Sequence, residues 1–157
     1  PNSKITGIDF HAPSIEAARA KAAEAGVSNV EFVVASAQDY PGEGFDFACI
    51  FDALHDMGDP VGAARHIRET LAPGGTFMLV EPLAGHSMAD NMHAIGQIFY
   101  AASCTVCTPA SLAQPVGLGL GAQAGQKRLT EVCQQAGFAN VRRAAETATN
   151  MVLEVTG

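Results

Sequence analysis

Asp9 closes the short apolar run Ile5-Thr6-Gly7-Ile8, and Phe10 and His11 follow it. An ionised carboxylate only accepts hydrogen bonds, so at a strand tip it can take both hydroxyls of a nucleotide ribose. The alternative is an acid that caps the next helix. Phe10 adds an apolar face for a ribose or a flat base. His55 and Asp56, in the run LHDMGDP, form the sharpest acid–base pair. An imidazole with a pKa near 6.5 can take a proton from a phenol or hydroxyl, and an adjacent carboxylate can orient it. The competing account of His55 is a residue that starts a helix or touches a substrate. An acid such as Asp9 normally stands about 20 residues after a glycine-rich phosphate loop. Only eight residues precede it here. The glycines of GLGLG at 117–121 do not serve, because they neither follow a strand nor open the right helix.

The elements that must position these residues alternate. ITGID reads as a strand, and a helix follows with Pro13 in its first turn and Gly26 at its end. Val30 to Ala35 and Phe45 to Phe51 are continuous apolar strands. Asp59-Pro60 opens a helix whose inner face is Val61, Ala64, Ile67 and Leu71. Pro73-Gly74-Gly75 stops it, and Thr76 to Val80 is a strand ending at Glu81. Strands that are apolar throughout and alternate with helices predict a parallel sheet covered on both faces. Its ligands bind at the carboxyl ends of the strands, where Asp9, Ser36, Phe51 to Asp56 and Glu81 fall. Glu81, His86, His93 and Tyr100 are candidates for the substrate side, with packing or exposure as the plainer account. A helix over Gln126 to Ala136 and two strands joined by a short link finish the chain, so that last pair must be antiparallel.

Residues 83–125 break the alternation. A helix is expected over Asn91 to Cys104, followed by a stretch rich in Gly, Ala and Pro. The segment is too apolar for simple disorder and reads as a cover over a substrate. A packing or dimer element is the alternative, so a second copy of the chain stays among the expected partners.

The totals bound the function. At 157 residues, 48% of them hydrophobic, the chain suits one domain with a real core. A net charge of −7 argues against nucleic acid or an anionic membrane as partner. No run is long enough for a membrane helix, and no signal-peptide pattern is visible, so a cytoplasmic location is expected. Cys49 in a strand and Cys133 in a helix suit buried thiols. Cys104 and Cys107 form a lone C-x-x-C, short of the four ligands of a structural zinc site. All four are read as reduced structural thiols with no metal, and a redox or metal role for the C-x-x-C is the alternative.

FDFACIFDALHDMGDP, the helix after it, LAPGGTFMLVEP and the terminal hairpin resemble class I S-adenosylmethionine-dependent methyltransferases. IFYAASCTVCTPASLAQPVGLGLGAQAG with RRAAETATNMVLEV is similar to a bacterial subfamily carrying an N-terminal winged-helix-like domain. The resemblance implies a Rossmann-like three-layer α/β sandwich with strand order 3-2-1-4-5-7-6, a mostly parallel sheet and a C-terminal antiparallel hairpin. By it ITGIDF is strand two, and strand one with its glycine loop has no counterpart, so residues 1–157 are expected to be a partial domain. The fragment is expected to be inactive and to bind S-adenosyl-L-methionine weakly or not at all. The resemblance gives Asp9 and Phe10 to the cofactor's ribose and adenine, and Ser36, Ala37 and Gln38 to the adenine edge. Ser36 stands where the family often has Asp. Phe51 and Asp52 fall where the family wraps the methionine part. His55 matches a general base in small-molecule O-methyltransferases, with Met57 in place of their aromatic. The expected reaction is methyl transfer to a small-molecule acceptor, at oxygen. The alternative is a non-catalytic sensor or interaction domain. A nicotinamide-dependent dehydrogenase ranks last, because the hairpin and L-x-P-G-G do not suit it.

Overall fold

The structure is a computed structural model and describes residues 2–157. They fall into two compact units that divide after Gly42.

The first unit is strand–helix–strand. β1 (Ile5–Asp9) leads into α1 (Ala12–Glu24), and β2 (Val30–Val34) returns parallel to β1. Ile15 is the buried residue of α1. Gly26, at φ +65°, ends α1 in the left-handed conformation that glycine adopts without strain. Gly7 is needed for a different reason. It pairs with Phe32, and a Cβ there would lie 2.8 Å from the Phe32 ring.

The second unit holds a four-stranded sheet in the order β3-β4-β6-β5. β3 (Phe45–Phe51) is parallel to β4 (Leu71–Pro82). β6 (Asn150–Thr156) runs antiparallel to both β4 and β5 (Asn140–Glu146). The two sheets reproduce the runs 3-2 and 4-5-7-6 of the expected order, with strand one absent among the described residues. The sheet is mixed, as the hairpin required.

Period-2 alternation builds the core. Phe77 and Leu79 of β4 pair with Val155 and Leu153 of β6, and all four are fully buried. Each such side chain contributes about 1.5–3 kcal/mol by leaving water. α2 (Pro60–Thr70) packs on α5 (Gly125–Gln135), which buries Leu129, Val132 and Cys133. The buried line of α2 is Pro60, Ala63, Ala64, Ile67 and Thr70, so the inner face is turned from the expected one; Val61 and Leu71 are half-buried. The L-A-P-G-G turn lies inside β4, where the register slips between Phe45 and Phe47.

Asp59 caps α2, accepting from the Gly62 N–H at 2.8 Å, with Pro60 as the first helical residue. Asp59→Ala is expected to cost about 1 kcal/mol in urea unfolding. A change within error would show that the cap contributes nothing.

Two further expectations fail. β3 is not buried on both faces: Phe47 is 54% exposed, and Cys49 is exposed, not buried. Phe47, Cys49 and Phe51 alternate onto one face of β3, and that face is left open among the described residues. The helix expected over Asn91 to Cys104 starts later, at Ala94. His93 caps α3 (Ala94–Ala102) through Nδ1, which accepts from the Gly96 N–H. The helical path then runs through a π-turn (Ser103–Cys107) into α4 (Thr108–Leu112).

Candidate active site

In the first unit the in-register pairing of β1 and β2 sets two groups of predicted residues at one end of a sheet. Asp9 pairs with Val34, and the Ala35 N–H donates to the Asp9 carbonyl at 3.1 Å. Asp9 Oδ1 accepts from the His11 N–H at 2.8 Å, so one oxygen serves the start of α1. Beside it Phe10 is 77% exposed. Ser36 is tied into a local turn: its N–H donates to Asp39 Oδ1, and its Oγ accepts from the Gln38 N–H at 3.1 Å. Ala37 lies between them.

The second unit holds the other residues. Phe51, at the tip of β3, is 60% exposed. Asp52 follows in the left-handed region at φ +46°, which Asp tolerates better than most residues. Its N–H donates to the Val80 carbonyl, and its Oδ1 accepts from Asn150 Nδ2 at 2.7 Å. A single 3-10 turn, Leu54–Asp56, then carries His55 inward to 4% exposure.

There His55 meets a residue that sequence reasoning gave only a marginal role. Glu81 is 1% exposed, and its Oε2 lies 2.6 Å from His55 Nδ1. Its Oε1 accepts from the Leu54 N–H at 3.0 Å. Both carboxylate oxygens are therefore committed to the turn that carries His55. The signal was present in TFMLVEP, because Phe77, Leu79 and Glu81 alternate onto one core-facing side of β4. With Glu81 ionised, Nδ1 is the protonated nitrogen and Nε2 is left to take a further proton. Nε2 lies 3.3 Å from Asp56 Oδ1.

The charges act on one another. Burial lowers the His55 pKa, but the hydrogen bond and charge of Glu81, with Asp56 and Asp52, outweigh it, so the net shift is upward. Burial raises the Glu81 pKa, and the partly compensating bonds from His55 and Leu54 leave it raised.

The segment after α3 holds this turn from outside. Ser111 Oγ donates to the Met57 carbonyl, and Gln114 Nε2 donates to the Asp56 carbonyl. The Gly58 N–H donates to Gln114 Oε1, and the Leu118 N–H to the Gly58 carbonyl. Residues 111–118 thus brace the backbone of residues 56–58 through these bonds. His86 and His93 line an open hollow of about 530 Å³ with Asp90 and Arg143, while Tyr100 is half-buried. Cys107 is buried beside Asp56, and its thiol is pushed up to about 11, by burial first and by that carboxylate second. Cys104, its C-x-x-C partner, is exposed.

A parallel β–α–β unit, a sheet ending in an antiparallel hairpin and acids at the strand tips together define a class I Rossmann-like methyltransferase fold. The family model described as a methyltransferase domain matches residues 1–137, and the chain belongs to that family, which depends on S-adenosyl-L-methionine. Over 83 residues it is 29% identical to the demethylmenaquinone methyltransferase of Listeria monocytogenes serotype 4a (strain HCC23), covering 52% of this chain and 35% of that protein. The corresponding Lactococcus lactis enzyme is 32% identical over 83 residues, 52% of this chain and 33% of its own length. The chain spans about a third of these curated relatives. Among solved structures it resembles an O-methyltransferase from neocarzinostatin biosynthesis, in complex with S-adenosyl-L-homocysteine and 1,4-dihydroxy-2-naphthoic acid. The TM-score is 0.70 at 26% identity, over 97% of this chain and 41% of that one. LaPhzM shares the fold at a TM-score of 0.74 and 19% identity, over 99% of this chain and 43% of that one. No helix among the described residues is long and apolar enough to cross a membrane.

Proposed function

We propose that the chain is the part of a methyltransferase that holds a catalytic His55 and a share of the S-adenosyl-L-methionine contacts, and that the methyl group goes to an oxygen of a small hydroxylated molecule. The observation that carries this reading is the 2.6 Å bond between His55 Nδ1 and the buried Glu81. That bond fixes the tautomer, so Nε2 is the nitrogen that accepts the acceptor's hydroxyl proton. Glu81 then stabilises the imidazolium that forms.

The donor set of the first unit fits the cofactor. A strand-tip carboxylate suits a ribose diol, and the exposed Phe10 ring suits a flat base. We assign Asp9 and Phe10 to that part, and Ser36, Ala37 and Gln38 to the adenine edge. The Ser36 Oγ and the Gln38 N–H are bonded to each other, so both groups share or give up that bond when they meet the adenine edge. Phe51 and Asp52 keep the cofactor role that the family resemblance gives them. When bound, S-adenosyl-L-methionine supplies an electrophilic methyl group. The chain's own task is to orient the acceptor, exclude water and take its proton.

The test uses the natural chain that contains this sequence. Turnover with S-adenosyl-L-methionine over a panel of phenols and hydroxylated metabolites, with the product's methyl position read by NMR, is expected to give O-methylation. Methylation at carbon would refute the assigned atom. Binding without turnover on any acceptor would favour the sensor. In calorimetry with S-adenosyl-L-homocysteine, Asp9→Ala is expected to raise Kd about 10- to 100-fold, the worth of hydrogen bonds to a charged acceptor. An unchanged Kd would reduce Asp9 to a helix cap.

A further inference from the structure

We propose that His55 Nε2, a carboxylate oxygen of Asp56 and Sγ of Cys107 form a binding site for a divalent transition-metal ion, with zinc the best match. These three ligand atoms lie within 4.8 Å of one another. Two of the residues are buried, His55 at 4% and Cys107 at 7%. Imidazole, carboxylate and thiolate are the three donor types that zinc takes in proteins, and a three-ligand set leaves its fourth position open to water.

The geometry is close to what the ion needs. Tetrahedral zinc with bonds of about 2.0–2.3 Å requires donors roughly 3.3–3.6 Å apart. The His55–Asp56 separation is already 3.3 Å, so the remaining adjustment falls on the sulfur. Cys107 ends the π-turn, a helical irregularity often found at functional sites. Metal-bound histidines typically give their second ring nitrogen to a carboxylate, which sets tautomer and orientation. Glu81 does this at Nδ1 before any ion arrives.

A second observation points the same way. Asp56 Oδ1 is itself shielded from solvent and lacks a well-formed hydrogen bond, although the side chain as a whole is over a third exposed and the Cys107 thiol faces its carboxylate. A shielded carboxylate oxygen without a well-formed hydrogen bond is costly, and most such atoms in folded proteins are paired. A cation between Asp56, His55 and Cys107 satisfies it. Binding releases the Cys107 proton to solvent, so the thiol becomes a thiolate ligand and no electron changes hands.

The site stands on this geometry alone. Its effect on catalysis rests on the proposed role of His55, because Nε2 cannot both ligate an ion and take a proton.

Cobalt(II) titrated into chelator-stripped protein is the probe. One equivalent is expected to raise a thiolate-to-cobalt charge-transfer band with visible ligand-field bands, and zinc should displace both. Cys107→Ser is expected to lose the charge-transfer band, while Cys104→Ser keeps it. Asp56→Asn is expected to raise the cobalt Kd at least tenfold, and Glu81→Gln about 10- to 100-fold. Far-UV circular dichroism establishes that each variant is folded. No band at millimolar cobalt, or a band that survives in folded Cys107→Ser, overturns the site. A bound metal with turnover unaffected by zinc leaves the site standing and refutes the His55 base. Loss of turnover in His55→Ala, together with no cobalt binding by the wild type, does the reverse.

Discussion

On the proposed role, His55→Ala is expected to lower kcat for methyl transfer by about 10²- to 10⁴-fold, the usual worth of a positioned general base, with a smaller change in KM. The assay contains a chelator, so that no ion competes for Nε2. A merely structural His55 would also lower activity if the fold were damaged, so the deciding readout is the pH profile. The base must be neutral to accept a proton. The charge and hydrogen bond of Glu81 hold the His55 pKa above its ordinary value of about 6.5 against the opposing effect of burial. The rate in the wild type should therefore rise with pH in a limb lying above about 6.5. Glu81→Gln removes the charge but keeps a hydrogen-bonding side chain, and it is expected to move that limb to lower pH. A limb that stays in place in Glu81→Gln would show that His55 is not the titrating base. A kcat within threefold of wild type in folded His55→Ala would remove it from the chemistry.

Why the sequence revealed some of this and not the rest has a physical answer. Elements whose apolar residues recur at their own period were legible. FDFACIF is a strand at its expected ends, NMVLEV buries every second residue, and the helix begun by Asp59-Pro60 starts where its cap requires. Periodicity reports that a face is apolar, but not what covers it. Cys49 and Phe47 therefore read as core, although their face of β3 is left open among the described residues. The same gap explains the region after Met88. Its composition predicts a helix, but its start depends on the His93 side chain, and the π-turn depends on packing that no local pattern encodes.

The candidate site was legible in parts. LHDM marked His55 because of its residue type and its place after a strand. The carboxylate that matters most to it stands 26 positions later, and in the sequence it is only one of several candidates for the substrate side. Asp56, the neighbour in sequence, is the weaker partner: 3.3 Å away, against 2.6 Å for Glu81. Cys107 was grouped with Cys104 by spacing, yet burial separates the two and brings Cys107 to Asp56. In each case a pairing distant in sequence displaced the near one, because the strand ends and the π-turn converge on the 54–56 turn.

Glu81→Ala produces the largest expected loss of stability, about 3 kcal/mol in urea unfolding at neutral pH. That figure combines a charge-assisted bond to His55 with a Leu54 N–H left buried and unpaired. Glu81→Gln should cost less, since an amide oxygen can still accept from Leu54. The pH dependence separates the charge from the packing. Both His55 and Glu81 have folded pKa values above their unfolded ones, so between those limits the folded chain binds more protons than the unfolded chain. The free energy of unfolding then falls as pH rises. The His55 contribution is fully present below about 6.5 and is lost as pH rises through its folded value; the cost of keeping Glu81 ionised sets in from about 4.3 upward. The two groups titrate as one unit, and the slope belongs to the pair. Unfolding measured from pH 5 to pH 9 should give a falling stability in the wild type and a flatter curve in Glu81→Gln. A Glu81→Ala loss below 0.5 kcal/mol, or equal slopes in wild type and Glu81→Gln, would mean that the carboxylate does not hold the His55 turn.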